Sequence, residues 1–302
     1  MPATELSISE REDWLERRLE GIGSSDAAAL LGLNPRKSAL ALWGEKVGAV
    51  DPESLEDKEY IEWGNILEEP IANRYAYVTG RRLIDHGRFA IRFSEQYPWM
   101  HCTSDREIVP IDERGPGSLS IKNAGAYKSK DWEDEAPLEH QVQLQHELVV
   151  HDWKWGSFAV LIGGNKFGWL DMPRNERFCA YLVEKEEEFV DRVRRGDPPP
   201  PDASDSTREV LLRLYPKDNN ETVELDFPPE IAERRRALKK EEKRVEAELQ
   251  EIDNQLKAAI GNATIGLFCD GTIFSWKWQQ RAGYVVEPTE FRVLRELKGR
   301  RR

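Results

Sequence analysis

The chain has 302 residues, 39% hydrophobic and 9% aromatic, long enough to bury a sizeable core. With 44 Lys and Arg against 56 Asp and Glu, the formal charge of −12 excludes a protein that coats nucleic acid with a uniformly basic surface, so any DNA contact has to be local. Cys102, Cys179 and Cys269 are scattered and odd in number, which excludes a disulfide framework or an intrachain four-cysteine metal site and fits a reducing cytoplasm.

The first stretch, MPATELSISEREDWLERRLE, carries charges where a signal peptide needs an apolar core, and no window approaches the roughly 18 apolar residues of a membrane helix. Ser9 is a helix N-cap, with Glu12 three residues on and Trp14, Leu15 and Leu19 on one face, and Gly21 and Gly23 stop that helix. Ser24 or Ser25 then caps a short helix through DAAALLGL, and a further helix carries Leu40, Leu42 and Trp43. A longer helix is predicted from about Asp57 to Thr79, ended by Gly80.

Beyond Gly80, alternation predicts strands over Phe89 to Phe93, Cys102 to Val109 and Ser118 to Asn123. A helix from about Leu138 to Val150 follows, then strands Phe158 to Ile162 and Phe167 to Asp171 joined by Gly163-Gly164-Asn165, and a helix from about Asn175 to Arg195. This order reads as a mixed α/β core over residues 1–200, with a linker over 201–228 that begins in the run GDPPPPDASD. Residues 229–302 hold a helix from about Pro229 to Ile260, with Ile231, Leu238, Val245 and Ile252 seven apart, a hairpin around Asp270-Gly271 and a basic tail.

Several stretches carry candidate chemistry. Asp105 and Lys122 lie in strands expected to be adjacent, where a carboxylate fixes a divalent cation and a lysine orients or deprotonates water for phosphodiester cleavage. Glu68 and Glu69 sit on the preceding helix. Gln141, Gln143 and Gln145 alternate along the following one, and helical periodicity lets at most one or two of them reach a shared site. Arg18 with Ser24 and Ser25 makes a candidate anion pocket. His140 and His146 have the wrong spacing for a two-histidine metal helix.

In order, RRLEGIGSSDAAALLGLNPRKSALALWGEKVG, EWGNILEEPIANRYAYVTG, PWMHCTSDREIV, LSIKNA and HQVQLQHELVV resemble the YqaJ viral recombinase family, relatives of phage lambda exonuclease within the PD-(D/E)XK nuclease superfamily. The resemblance implies a restriction-endonuclease-like core, a mixed central sheet flanked by helices, and a Mg²⁺-dependent exonuclease for which Mn²⁺ can substitute. That enzyme would digest double-stranded DNA ends from the 5′ side to leave a 3′ overhang, beside a single-strand annealing protein, as a homo-oligomer in some members. It assigns Asp105 and Glu68 to the metal, with the Ile121 carbonyl as a further ligand, Lys122 to the E-x-K motif and Gln141 to the following helix. Arg18 and Ser25, beside Ser24, would hold a 5′-phosphate. One position departs: the motif Glu is replaced by Ser120, whose neutral hydroxyl cannot balance Mg²⁺, so weak or absent cleavage is expected, with an inactive DNA-end-binding module as the alternative.

Overall fold

The computed structural model describes residues 12–52, 58–283 and 291–296. Two units emerge, Met1–Pro216 and Lys217–Arg302. In the first, residues 12–19 are helical (α1) and lead into β1 (Ile22–Gly23) and α2 (Ser24–Leu30). Ser9 and Asp57 fall outside the described residues. The α2 cap differs from expectation: Gly23 is the N-cap, and the Asp26 carboxylate accepts its N–H at 3.2 Å, which leaves Ser24 and Ser25 inside the first turn.

The helix α3 (Ala39–Lys46) starts at Ser38, whose hydroxyl accepts the Ala41 N–H. Next, α4 (Glu59–Thr79) ends where Gly80 turns left-handed at φ 69°, a conformation glycine takes without a Cβ penalty. Past α4 the chain forms β2 (Leu83–Ile84), β3 (Arg92–Phe93), β4 (Met100–Cys102), β5 (Arg106–Ile108) and β6 (Gly117–Ala124). A 3₁₀ turn (Ala126–Trp132) and α5 (Leu138–His151) cross over to β7 (Trp155–Ile162), which turns back into β8 (Lys166–Pro173).

The main sheet has the order β2-β5-β6-β7-β8 and is antiparallel except for the parallel β6–β7 pair, which α5 connects. One face packs Leu119, Trp155 and Ala159 against Ile71 and Tyr75 of α4. The other packs Phe158 and Val160 against Leu144 of α5. A Cβ on Gly156 would sit 2.7 Å from both Leu144 and the Ser118 carbonyl, so the bare glycine lets α5 close onto the sheet. A second sheet, β1-β4-β3, lies at the other end of the β4–β5 connection.

The strand expected over Cys102 to Val109 is therefore two strands in two sheets, broken at Thr103-Ser104-Asp105. After α6 (Glu176–Arg195), capped by Asn175, the chain forms α7 (Asp205–Leu214) inside the expected linker. Val210 of α7 joins the core of Leu42, Trp43 and Phe189, so this helix belongs to the first unit. The second unit holds α8 (Glu230–Ile260) and the hairpin β9 (Ile265–Leu267) and β10 (Ile273–Ser275). The apolar stripe on α8 is exposed.

Candidate active site

Asp105 sits where β5 has not yet begun and the edge of β6 is open. Its Oδ2 accepts the Ile121 N–H at 2.6 Å, so a carboxylate occupies the place of a strand partner. In an extended strand the N–H and carbonyl of one residue leave on the same side, which turns the Ile121 carbonyl to the Asp105 edge as well. The α4 side of this edge carries Glu68, which accepts a short hydrogen bond from Arg106. Arg106 also pairs with Asp85 at 3.1 Å. Burial first, then the nearby Asp105 charge, push Glu68 above the usual carboxylate range against the pull of Arg106. Glu69 is exposed.

On the opposite face of β6, Ser118, Ser120 and Lys122 share the side that meets α5, because side chains alternate along a strand. The Ser118 hydroxyl donates to Glu147 Oε2 at 2.6 Å. The Gln143 amide donates to Glu147 Oε1 at 3.2 Å, and Gln143 Oε1 accepts from Lys122 Nζ at 3.2 Å. Positions 143 and 147 are one helical turn apart and so reach the strand together. Burial and then the Asp105 charge push the Glu147 carboxyl up to about 7, opposed by Ser118, Lys122 and Gln143.

The glutamine beside Lys122 is thus Gln143, which corrects the expectation for Gln141. Two residues along a helix is about 200° of rotation. Gln141 accordingly turns away and donates to the Ala136 carbonyl at 2.6 Å and to Glu135 at 3.4 Å. Gln145 is buried against Pro173 and Asn175. Sequence reasoning missed Glu147 altogether. Its signal was the four-residue spacing from Gln143 within HQVQLQHEL, a charge placed among apolar residues of a core helix.

Arg18 donates to the Ser25 hydroxyl at 2.9 Å, while Ser24 is buried. Asp26 beneath them is buried and paired with Lys46 at 2.9 Å. Burial opposes its ionisation, but Lys46, Arg18 and Lys37 hold its carboxyl well below the usual range. The pair is tied to the small sheet: His101 Nε2 lies 3.3 Å from the Arg18 carbonyl, and the Trp14 indole donates to Thr103 at 3.0 Å. Near Lys122, burial, then Lys122 and Arg36, lower His140 to about 3, so its imidazole is neutral at pH 7.

The YqaJ-like viral recombinase domain matches residues 13–154. The uncharacterized protein YqaJ of Bacillus subtilis (strain 168) is 33% identical over 262 residues, which cover 85% of this chain and 80% of that protein. The chain belongs to the YqaJ-like viral recombinase family. All the site side chains described above, from Arg18 to Glu147, lie within the matched YqaJ-like domain. Among solved structures, the alkaline exonuclease LHK-Exo from Laribacter hongkongensis is similar with a TM-score of 0.48 and 13% identity, over 62% of this chain and 94% of that one. LHK-Exo in complex with dAMP gives 0.49 and 15% over 67% and 96%. In this YqaJ-like chain no helix among the described residues is long and apolar enough to cross a membrane.

Proposed function

We propose that this protein is a Mg²⁺-dependent DNA exonuclease that degrades double-stranded ends from the 5′ side and leaves 3′ overhangs for a single-strand annealing partner. The observation that carries the reading is Asp105 bonded to the β6 backbone one residue before Lys122, with Glu68 and Glu147 both raised by burial and then by its charge. A buried carboxylate whose ionisation a neighbouring negative charge disfavours is a donor that a cation relieves.

The donor set fits Mg²⁺, with Mn²⁺ as a substitute. Among the described residues no group of three or more His, Cys, Asp or Glu side chains is placed to hold a metal ion, so the site offers at most a pair of carboxylates. Mg²⁺ sites use one or two carboxylates, waters and substrate phosphate rather than an all-protein cage. Asp105, Glu68 and the Ile121 carbonyl would hold the ion, which when bound supplies charge stabilisation and a more acidic water. Lys122 would orient the attacking water, with its ammonium positioned by Gln143. Arg18 and Ser25 would take the 5′-phosphate through charge-assisted hydrogen bonds.

Ser120 at the motif position favours a second reading, an end-binding protein without cleavage. Digestion of a linear 5′-phosphorylated duplex with Mg²⁺ decides between them. Under the exonuclease reading the wild type degrades the duplex, whereas Asp105→Asn and Lys122→Ala bind ends and lose at least about a hundredfold in rate, the scale of general acid–base assistance. End binding without digestion by the wild type establishes the second reading.

A further inference from the structure

We infer that the stretch leaving the β9 and β10 hairpin, Trp276 to Arg281, is a platform for single-stranded nucleic acid, on which bases stack against exposed indoles and phosphates meet free cations. The inference does not rest on the exonuclease reading. It concerns the second unit, which lies outside the matched YqaJ-like domain.

The hairpin holds this stretch through its own ladder. The chain reverses at Asp270-Gly271, where Gly271 takes φ 89° and Asp270 Oδ1 accepts the Thr272 N–H at 2.9 Å. Two of its aromatic rings satisfy each other, Phe268 and Phe274 meeting edge to face at 5.9 Å. Trp276 then adds one more bond to the ladder by donating its N–H to the Thr264 carbonyl at 3.0 Å. Its ring and that of Trp278 stack on no other ring among the described residues, and Trp278 is 85% exposed. Large aromatic side chains dominate the energetics of cores and interfaces, so two left uncovered two residues apart form a surface with affinity to spare.

Charge selects the occupant. Residues 271–302 carry eight Lys and Arg against three Asp and Glu, in a chain whose total is −12. Along α8 the cations are matched, Lys239 with Glu242, Arg244 with Glu241 and Glu248, and Lys257 with Asp253. Lys277 and Arg281, on either side of Trp278, are exposed and have no carboxylate partner among the described residues. Free cations interleaved with exposed rings suit a polyanion that also presents flat faces. A single strand offers both, because every nucleotide brings a phosphate and every base a π-face. A duplex keeps its base faces inside the stack, and the indoles therefore favour the single strand.

The test uses the intact chain in EDTA, so that no metal-dependent digestion consumes the probe, and a fluorescent oligothymidylate of about 20 nucleotides, longer than the usual single-strand site. Anisotropy titrations and sedimentation velocity are recorded for the wild type, Trp276→Ala/Trp278→Ala, Trp276→Phe/Trp278→Phe and Lys277→Gln/Arg281→Gln. The alanine pair is expected to weaken binding at least about tenfold, and the phenylalanine pair, which keeps a stacking face, to stay within about threefold of the wild type. Tm is expected to hold in both, since both positions are exposed. The glutamine pair is expected to reduce the slope of log affinity against log salt by about 1.4, the share of two phosphate contacts on a single strand. Wild-type affinity in the alanine pair, equal losses in the alanine and phenylalanine pairs, or a wild type that leaves the oligonucleotide unbound overturns the inference. So does an alanine pair that changes sedimentation and not affinity, which assigns the indoles to a second copy of the chain. None of these results touches the exonuclease reading, which duplex digestion with Mg²⁺ decides separately. Should the alanine pair fail to fold, Trp278→Ala decides: a loss of at least about threefold supports the inference and a smaller one overturns it.

Discussion

Replacing His146 tests what holds α5, the helix that carries Gln143 and Glu147, in place. The imidazole is fully buried, with Nδ1 2.8 Å from Glu186 Oε1 and Nε2 2.9 Å from the His101 carbonyl. Both ring nitrogens thus face acceptors, and a ring that donates twice is an imidazolium. Burial pulls this histidine down, but Glu186 and the His101 carbonyl outweigh it and hold it above its ordinary range. Burial likewise raises Glu186, whose Oε2 has no partner among the described residues. His146→Ala strands that carboxylate, and removing one partner of a buried pair costs about 3–5 kcal/mol. That is a large share of a typical total of about 5–15 kcal/mol. With a urea dependence of about 2 kcal/mol per molar, the midpoint falls by about 2 M.

Glu186→Gln behaves differently. Its amide donates to Nδ1 of a neutral ring that still donates to the His101 carbonyl, so both ring nitrogens keep a partner, no charge is stranded, and the cost stays within about 1 kcal/mol. Equilibrium urea unfolding of the three proteins is the assay. Equal losses for both variants, or a loss below about 1 kcal/mol for His146→Ala, refute the buried imidazolium.

Two further outcomes follow from the N-terminal cluster. Arg18→Gln is expected to cut the preference for 5′-phosphorylated over 5′-hydroxyl duplex ends by about tenfold, as for loss of one charge-assisted hydrogen bond, measured as a ratio of kcat/KM. An unchanged ratio removes the phosphate role of Arg18. Asp26 has a folded pKa below its unfolded value, so its stabilisation is present above about pH 4 and disappears as the pH falls through the folded value. Acid unfolding of Asp26→Asn against the wild type checks the sign: the stability gap between them should close on acidification, and a gap that widens refutes it.

Long periodic elements were legible in the sequence because many residues vote on them. The bounds of α4, α5 and α6 fall within two residues of those predicted among the described positions, and Gly80 and Asn175 mark ends as their chemistry requires. Strands of two residues, β1 and β2, left no alternation to read; they exist through pairing with β4 and β5. The break at Asp105 was invisible because CTSDREIV reads locally as one strand, and only the partners on either side divide it. The α7 helix did carry a signal, the Ser204 cap accepting the Thr207 N–H ahead of Val210 and Leu211, which the preceding proline run obscured. At the candidate site, Asp105, Lys122 and Glu68 were proposed from the motif, whereas the contacts of Gln143 and Glu147 needed the register of a helix against a strand. Composition does not contain that information.

The passage from Cys102 to Arg106 is a tether between two sheets, and its shortness has a mechanical consequence. Three intervening residues span at most about 14 Å when fully drawn out. The small sheet holds the Arg18 carbonyl through His101, and Trp14 grips Thr103 on the tether itself. Any displacement at Arg18 has little slack to absorb it before the load reaches the carboxylate seated on the Ile121 N–H. The placement of Arg18 and the alignment of Asp105 are thereby geared to one another by a single short length of chain.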